Sequence, residues 1–421
     1  MACRRTTRRL ALIMAAPEVD IRAIASGGDG VGSLPDGRTV FVPRTAPGDR
    51  VLLRNVRARA RMARASIATV VSAGPGRVEP ACPHYVRDQC GSCQLMHLSI
   101  AAQHDVKARI AGDAMRRIAK RSVDDPAMVA APHPLGYRSK VTLAVRDGRI
   151  GYHVVGRPDE VFDVRRCLIA EPRVQELIDG IRSARRHLPR DATRLVLRRD
   201  RKGGLHVAVR TSTTQVWSGA RALHADLAGQ GLSVTVWWHP EDGAPRAMAG
   251  SDDPWPATVF EQVHPAMGDR VRADAIAALG DLRGQHAWDL YAGVGDTTTL
   301  LIAAGATVES VERDRRAVAA AEPSETAAVV RHAGTAEALV GTLRPPDVII
   351  TNPPRAGMGE DVVAAIAATP VRRVAYISCD PATLARDVAR LGDGFVLREL
   401  RAYDQFPQTS HLECLAVLER A

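Results

Sequence analysis

From residue 256 onward the chain alternates helix-like stretches with short apolar runs, and few architectures accept that rhythm. Helical patterning is expected over Asp269–Leu279, from Thr297, near Glu360–Ala368 and near Thr383–Leu391. Between these lie HAWDLYAG, ATVESVER, PPDVIITN and RVAYIS, each with a strand-like core. Strands that alternate with helices predict a doubly wound, Rossmann-like α/β sheet, with ligands beyond the carboxyl ends of its strands. The residues of chemical interest fall at those ends: DLYAGVGD (Asp289 to Asp296), TNPPRAG (Thr351 to Gly357) and ISCDPATLARD (Ile377 to Asp387).

Cys379 follows the apolar run Arg373 to Ile377, so a thiol is held at a strand end. The helix start after it, and nearby arginines such as Arg386, are expected to lower its pKa toward the thiolate. Glu413 sits between His411 and the strand-like CLAVLE, where entry into the core is expected to raise its pKa and suit it to accept a proton. The bland readings are an inert cysteine and a surface glutamate, with His411 as a fallback base and Cys414 as core. Carbon 5 of uracil is too poor a nucleophile to attack a methyl sulfonium unaided. A thiolate added at carbon 6 pushes electron density onto carbon 5, and a base must later remove the carbon 5 proton. Cys379 and Glu413 fit those two roles.

Gly293 and Gly295 stand where the backbone must turn after a strand and approach a ligand closely. Glu312 ends TVESVER, where a carboxylate can accept from both hydroxyls of a ribose. Thr298 occupies the place of the third glycine of a dehydrogenase fingerprint, which argues against that class.

SCDPATLARD, NPPRAG, HLECLAVLER and FEQVH (Phe260 to His264), with the cysteine motif CGSCQLMH, give the chain a resemblance to the RNA uracil-5-methyltransferase family from about Pro17 onward. The resemblance implies a methyl transfer to uridine in RNA from S-adenosylmethionine, with Cys379 and Glu413 as catalytic residues. Gln262, Tyr291, Gly293, Gly295, Asp296, Glu312 and Asn352 are the implied donor-site residues. Four positions depart from the family pattern. Asp296 replaces an Asn, Thr297 an aromatic residue, His264 an Asn, and Asn352 the acidic residue that opens Asp-Pro-Pro-Arg and contacts the target base.

Before that domain, residues 17–76 form short alternating runs punctuated by Gly and Pro, which predict a small antiparallel barrel. FVPRTAPGDRV resembles the TRAM domain, an OB-like barrel of RNA-modifying enzymes. Alternation along a strand would set Arg57, Arg59 and Arg61 on one face, a candidate phosphate contact. Lys and Arg number 57 against 47 Asp and Glu, a net charge of +10 that suits a polyanionic partner, although an arginine-rich genome would produce the same excess. Residues 1–16 read as a disordered basic leader, or as a start placed upstream of Met14. Residues 77–255 read as an α+β central domain. Nothing is long and apolar enough to span a membrane, so a cytoplasmic monomer is expected.

Of seven cysteines, Cys82, Cys90 and Cys93 cluster in CPHYVRDQCGSCQLMH and Cys167 lies apart in DVRRCLI. By chemistry alone four such thiols suit zinc or an iron-sulfur centre alike. The resemblance of CGSCQLMH to family members that carry a 4Fe-4S cluster implies the latter, with a longer Cys82 to Cys90 gap and Met96 in place of a Gln. The family also implies an RNA substrate, ribosomal rather than transfer RNA because the barrel and cluster motif are those of the ribosomal branch. Asn-Pro-Pro keeps a nitrogen-directed RNA methyltransferase in view, and the altered donor turn an RNA-binding protein with lapsed catalysis.

Overall fold

The computed structural model describes residues 16–251, 259–321 and 328–421. The expected leader (apart from Ala16), Cys3, Met14 and the expected boundary at 255/256 lie outside the described residues. The chain packs into two compact units. One comprises residues up to Ala81 with Cys93–Ile110 and Gln408–Ser410; the other comprises Cys82–Ser92, Ala111–Pro407 and His411–Ala421.

The first unit is built on a six-stranded sheet in the order Glu18–Asp20, Arg50–Ala58, Met62–Ser72, Thr39–Val42, Gly30–Ser33, Ala23–Ile24. Its inward positions, among them Val40, Val42, Val51, Leu53 and Ala63, form the core. One pairing corrects the all-antiparallel expectation: Thr39–Val42 runs parallel to Met62–Ser72. Arg57, Arg59 and Arg61 are all exposed, but they do not share a strand face. The strand ends at Ala58, and the Arg59 N–H bonds the Met62 carbonyl at 2.7 Å, so Arg59 and Arg61 belong to the connecting turn.

In the second unit a seven-stranded sheet spans Lys140–Arg146 to Arg246–Ala249 and is covered by the helices Pro172–Ala184 and Ala220–Gly229. The period of the Pro172–Ala184 helix buries Val174, Leu177, Ile178 and Ile181 against that sheet. The other sheet has eight strands, in the order Val329–Ala333, Thr307–Glu312, His286–Leu290, Val348–Thr351, Arg373–Ser378, Glu413–Arg420, Phe395–Tyr403, Met128–Val129. Its first five strands are mutually parallel. Val348–Thr351 is buried at every position, as a central parallel strand flanked by helices requires. Glu413–Arg420 enters antiparallel to Arg373–Ser378, and Met128–Val129, from the middle of the chain, adds the last strand. Among the described residues no helix is long and apolar enough to cross a membrane.

Candidate active site

Four parallel strands of the eight-stranded sheet deliver their carboxyl ends to the site. His286–Leu290 leads into the turn Tyr291 to Gly295, in which Tyr291, Gly293 and Gly295 have φ of 62°, 59° and 87°. A Cβ on Gly293 would meet nothing within 4 Å, so the backbone there faces open space that a ligand can approach. Thr307–Glu312 ends at a carboxylate held by two backbone donors: Gly293 N–H to Oε2 at 2.9 Å and Asp314 N–H to Oε1 at 2.7 Å. Each oxygen keeps a lone pair for a further donor, such as a ribose hydroxyl.

The rest of the turn is braced from behind. Asp289 is fully buried and accepts from Thr297 at 2.9 Å and Thr298 at 2.5 Å, while burial raises its carboxyl to about 6. Thr297 and Thr298, which looked irregular in the sequence, thus hold the strand to the helix Asp296–Ala303. Asp296 is not a bare carboxylate in the donor turn, for it ion-pairs with Arg201 and lies 3.5 Å from Arg272 Nη1. Arg201 comes from a turn in the seven-stranded sheet, fixed by Asp200, which accepts from His206 Nε2 at 2.7 Å and from the Lys202 and Gly204 N–H groups at 2.8 Å. No sequence signal marked Arg201 or Arg272. The Tyr291 hydroxyl donates to Glu337 at 3.3 Å, and burial raises its pKa.

Gln262 accepts from the buried Gln405 Nε2 at 3.2 Å, and the same amide reaches the His264 carbonyl at 3.3 Å. The His264 ring stacks on Tyr137, with centroids 4.9 Å apart, and burial lowers its pKa to about 4. A neutral imidazole packed on a tyrosine fits the reading of His264 as a variation.

Val348–Thr351 ends at the half-buried Asn352, whose N–H bonds the Leu290 carbonyl at 3.2 Å. Arg373–Ser378 ends at Cys379. Ser378 pairs with Cys414 across the antiparallel couple, and Cys379 and Glu413 are the residues just beyond that pair, near enough for the carboxyl to act on the thiol. Glu413 is 1% exposed, burial pushes its carboxyl up to about 8, and its Oε2 has no hydrogen-bond partner among the described residues.

The expected lowering of the Cys379 pKa is overturned. Burial, and then the neighbouring Glu413, raise it. The helix Pro381–Leu391 does not offer its first amides to the thiol, because Asp380 caps them, accepting from Ala382 N–H at 2.9 Å and Thr383 N–H at 3.1 Å. Arg386 is spent on Asp387 and the Ala356 carbonyl. A cation that does oppose the rise is Arg355, whose charge acts on both Cys379 and Glu413. The NPPRAG motif contained this residue, but nothing in its spacing pointed at the thiol.

Among the described residues the four proposed ligand cysteines form no disulfide; Cys82, Cys90 and Cys93 are buried and Cys167 is half-buried. Cys90 lies within electrostatic reach of Cys82 and Cys167, and burial pushes its thiol up to about 11. Soft sulfur donors of this kind fit an iron-sulfur centre or zinc. Among the described residues, however, no group of three or more His, Cys, Asp or Glu side chains is assembled as a metal-binding set.

Residues 342–421 match the tRNA (Uracil-5-)-methyltransferase family. An RNA methyltransferase of Gloeobacter violaceus is 32% identical, with 96% of each chain covered. The Acidithiobacillus ferrooxidans protein named 23S rRNA (uracil(1939)-C(5))-methyltransferase RlmD is 31% identical, covering 96% of this chain and 97% of its own. The crystal structure of Pyrococcus abyssi tRNA (uracil-54, C5)-methyltransferase in complex with S-adenosyl-L-homocysteine superposes with a TM-score of 0.73 over 95% of this chain and 99% of that one, at 20% identity.

Proposed function

Since the chain belongs to the RNA (uracil-5-)-methyltransferase family and is an S-adenosylmethionine-dependent enzyme of that kind, we propose that it methylates a uridine of 23S ribosomal RNA through a covalent adduct on Cys379, with Glu413 as the base. The observation that carries this reading is that Cys379 and the buried Glu413 flank the last pair, Ser378–Cys414, of one strand couple, with the carboxyl acting on the thiol.

Two negative charges side by side in a buried site repel, so the thiolate forms most readily while Glu413 keeps its proton. The Cys379 sulfur then bonds carbon 6 of a uridine taken out of its stack. S-adenosylmethionine, when bound, supplies the methyl group to carbon 5 and leaves as S-adenosylhomocysteine. Once sulfur is a neutral thioether, its charge no longer opposes ionisation of Glu413, which releases its own proton to solvent. The Glu413 carboxylate next takes the carbon 5 proton, the carbon–sulfur bond breaks, and Cys379 is restored. Gly293, Gly295, Tyr291, Glu312, Gln262 and Asn352 would line the donor site, and Asp296 would fix its turn through Arg201 and Arg272.

The six-stranded sheet with its exposed arginines is read as a TRAM domain that contacts phosphates. Cys82, Cys90, Cys93 and Cys167 are read as holding a 4Fe-4S cluster. Nothing in the methyl transfer consumes an electron, so that cluster would shape the protein or place the RNA. Unmodified 23S and transfer RNA, incubated with enzyme and donor and digested to nucleosides, test the reading. 5-Methyluridine in the ribosomal RNA is expected, and its absence there would refute the substrate. Asn352 favours one second reading, transfer to an amino nitrogen, which the same digest would reveal as an N-methylated nucleoside.

A further inference from the structure

Asp387 is a fully buried carboxylate that the chemistry above does not use. Its Oδ2 accepts the Tyr376 hydroxyl at 2.8 Å, from the strand that ends in Cys379, and the Met358 N–H at 2.8 Å. Its Oδ1 accepts Arg386 Nε at 2.9 Å and Nη2 at 2.8 Å. The same Arg386 Nη2 donates to the Ala356 carbonyl at 2.7 Å. The loop after Asn352 is therefore gripped at Ala356 and at Met358, immediately after Arg355. Between those two grips Gly357 has φ of 78°, and a Cβ there would lie 2.4 Å from Arg386 Nη2 and 2.5 Å from Asp387 Oδ2.

Buried ion clusters contribute little net stability compared with apolar side chains of the same volume, because desolvation offsets their attraction. Geometry is what this one supplies. It ties the strand carrying the thiol, the helix that follows it and the loop carrying Arg355 into one rigid junction. We propose that Asp387 is a positioning residue that fixes the loop carrying Arg355 beside Cys379. The inference rests on the reading of Cys379 as the nucleophile. A long, exposed arginine on an unanchored loop would spend most of its time in solvent, and the thiol would lose a cation that opposes the effect of its burial.

The test uses the full chain and the variants Asp387→Asn and Gly357→Ala, each checked for folding by its melting curve. Alkylation of Cys379 by iodoacetamide is followed against pH by peptide mass spectrometry, without RNA or donor. Both variants should alkylate Cys379 about fivefold more slowly than the parent near neutral pH, with the profile displaced upward. Their kcat should fall about tenfold while KM for S-adenosylmethionine changes less than about twofold. Tyr376→Phe, which deletes a single bond, should fall between. A merely structural Asp387 would lower the melting temperature and leave the Cys379 profile of the folded protein unchanged, and that result overturns the proposal. Should Asp387→Asn fail to fold, Gly357→Ala decides alone. If the parent makes no 5-methyluridine yet the alkylation differences persist, the methylation reading fails and the positioning role stands.

Discussion

Cys379 and Glu413 lie just beyond Ser378–Cys414, the last pair of an antiparallel strand couple, near enough for the carboxyl to act on the thiol. Residues opposite in such a couple have Cβ atoms about 5 Å apart, so strand pairing alone brings a thiol and a carboxyl from distant parts of the sequence together. Because Glu413–Arg420 is the strand that runs antiparallel to its parallel neighbours, it presents its first residue, Glu413, where they present their last.

Replacing Cys379 with alanine should abolish 5-methyluridine formation, since the carbon 6 adduct of the proposed route forms on its sulfur. Binding of S-adenosylmethionine should stay within about twofold of the parent, because the donor turn is braced by Asp289 and Glu312 rather than by the thiol. Residual methylation by Cys379→Ala well above background would rule out the covalent route.

Glu413→Gln separates two effects. Turnover should slow at proton removal, so that methylated RNA linked to protein accumulates on a denaturing gel. Stability should respond to pH in a defined direction. Burial pushes the folded carboxyl up to about 8 from its ordinary 4.5, so the folded state holds a proton that the unfolded state has lost between those values. Stability of the parent therefore falls as pH rises through that window, by on the order of a few kcal/mol. Glutamine has no such proton, and the melting temperature of Glu413→Gln minus that of the parent should grow from pH 5 to pH 8. A constant difference across that range would mean that Glu413 titrates normally.

Arg355→Gln should raise the pKa of Cys379, because the arginine is the cation that lowers it. Cys379 alkylation near neutral pH should slow by about threefold to tenfold, the range expected for losing one partly solvated countercharge. The result to watch for is an unchanged rate, which would place the guanidinium outside the working site.

The α/β rhythm of the second half was legible because helix and strand periods differ and because Gly and Pro punctuate them. The helix Glu360–Ala368 and the strand Arg373–Ser378 have the bounds their patterns implied. Cys379 and Glu413 were legible as candidates because each stands at the end of a strand-like run. What stayed hidden depends on three-dimensional pairing. Arg386, near Cys379 in sequence, bonds Asp387, whereas Arg355 acts on the thiol from the loop after Val348–Thr351. The Asp380 cap that denies Cys379 the helix amides is a rotamer choice that sequence does not display. Asp296 looked like a departure from the donor turn until Arg201 and Arg272, from other elements, were found beside it.

Anaerobically purified protein should be brown and carry about four irons per chain if Cys82, Cys90, Cys93 and Cys167 hold the proposed cluster. Cys90→Ser should then lose most of the iron. A colourless preparation with one zinc per chain would assign the four thiols to a structural tetrahedral site instead.

Asn352 tests which atom of the target base receives the methyl group. It stands at the end of Val348–Thr351, and its backbone is tied to Leu290, so a side-chain change leaves the strand end where it is. An amide oxygen can accept the ring N3 hydrogen of uracil, and a carboxylate accepts it more strongly because the bond becomes charge-assisted. If uracil is the target, Asn352→Asp should keep or raise the rate of 5-methyluridine formation, by up to about tenfold. If an amino nitrogen is the target, the nucleophile needs its hydrogens held by an acceptor without a full charge beside the incoming sulfonium, and the same change should remove most activity. The measurement is made on RNA lacking the modification, scoring 5-methyluridine and N-methylated nucleosides together. Loss of an N-methylated product in Asn352→Asp, with 5-methyluridine absent from the parent as well, would move the assignment from carbon to nitrogen.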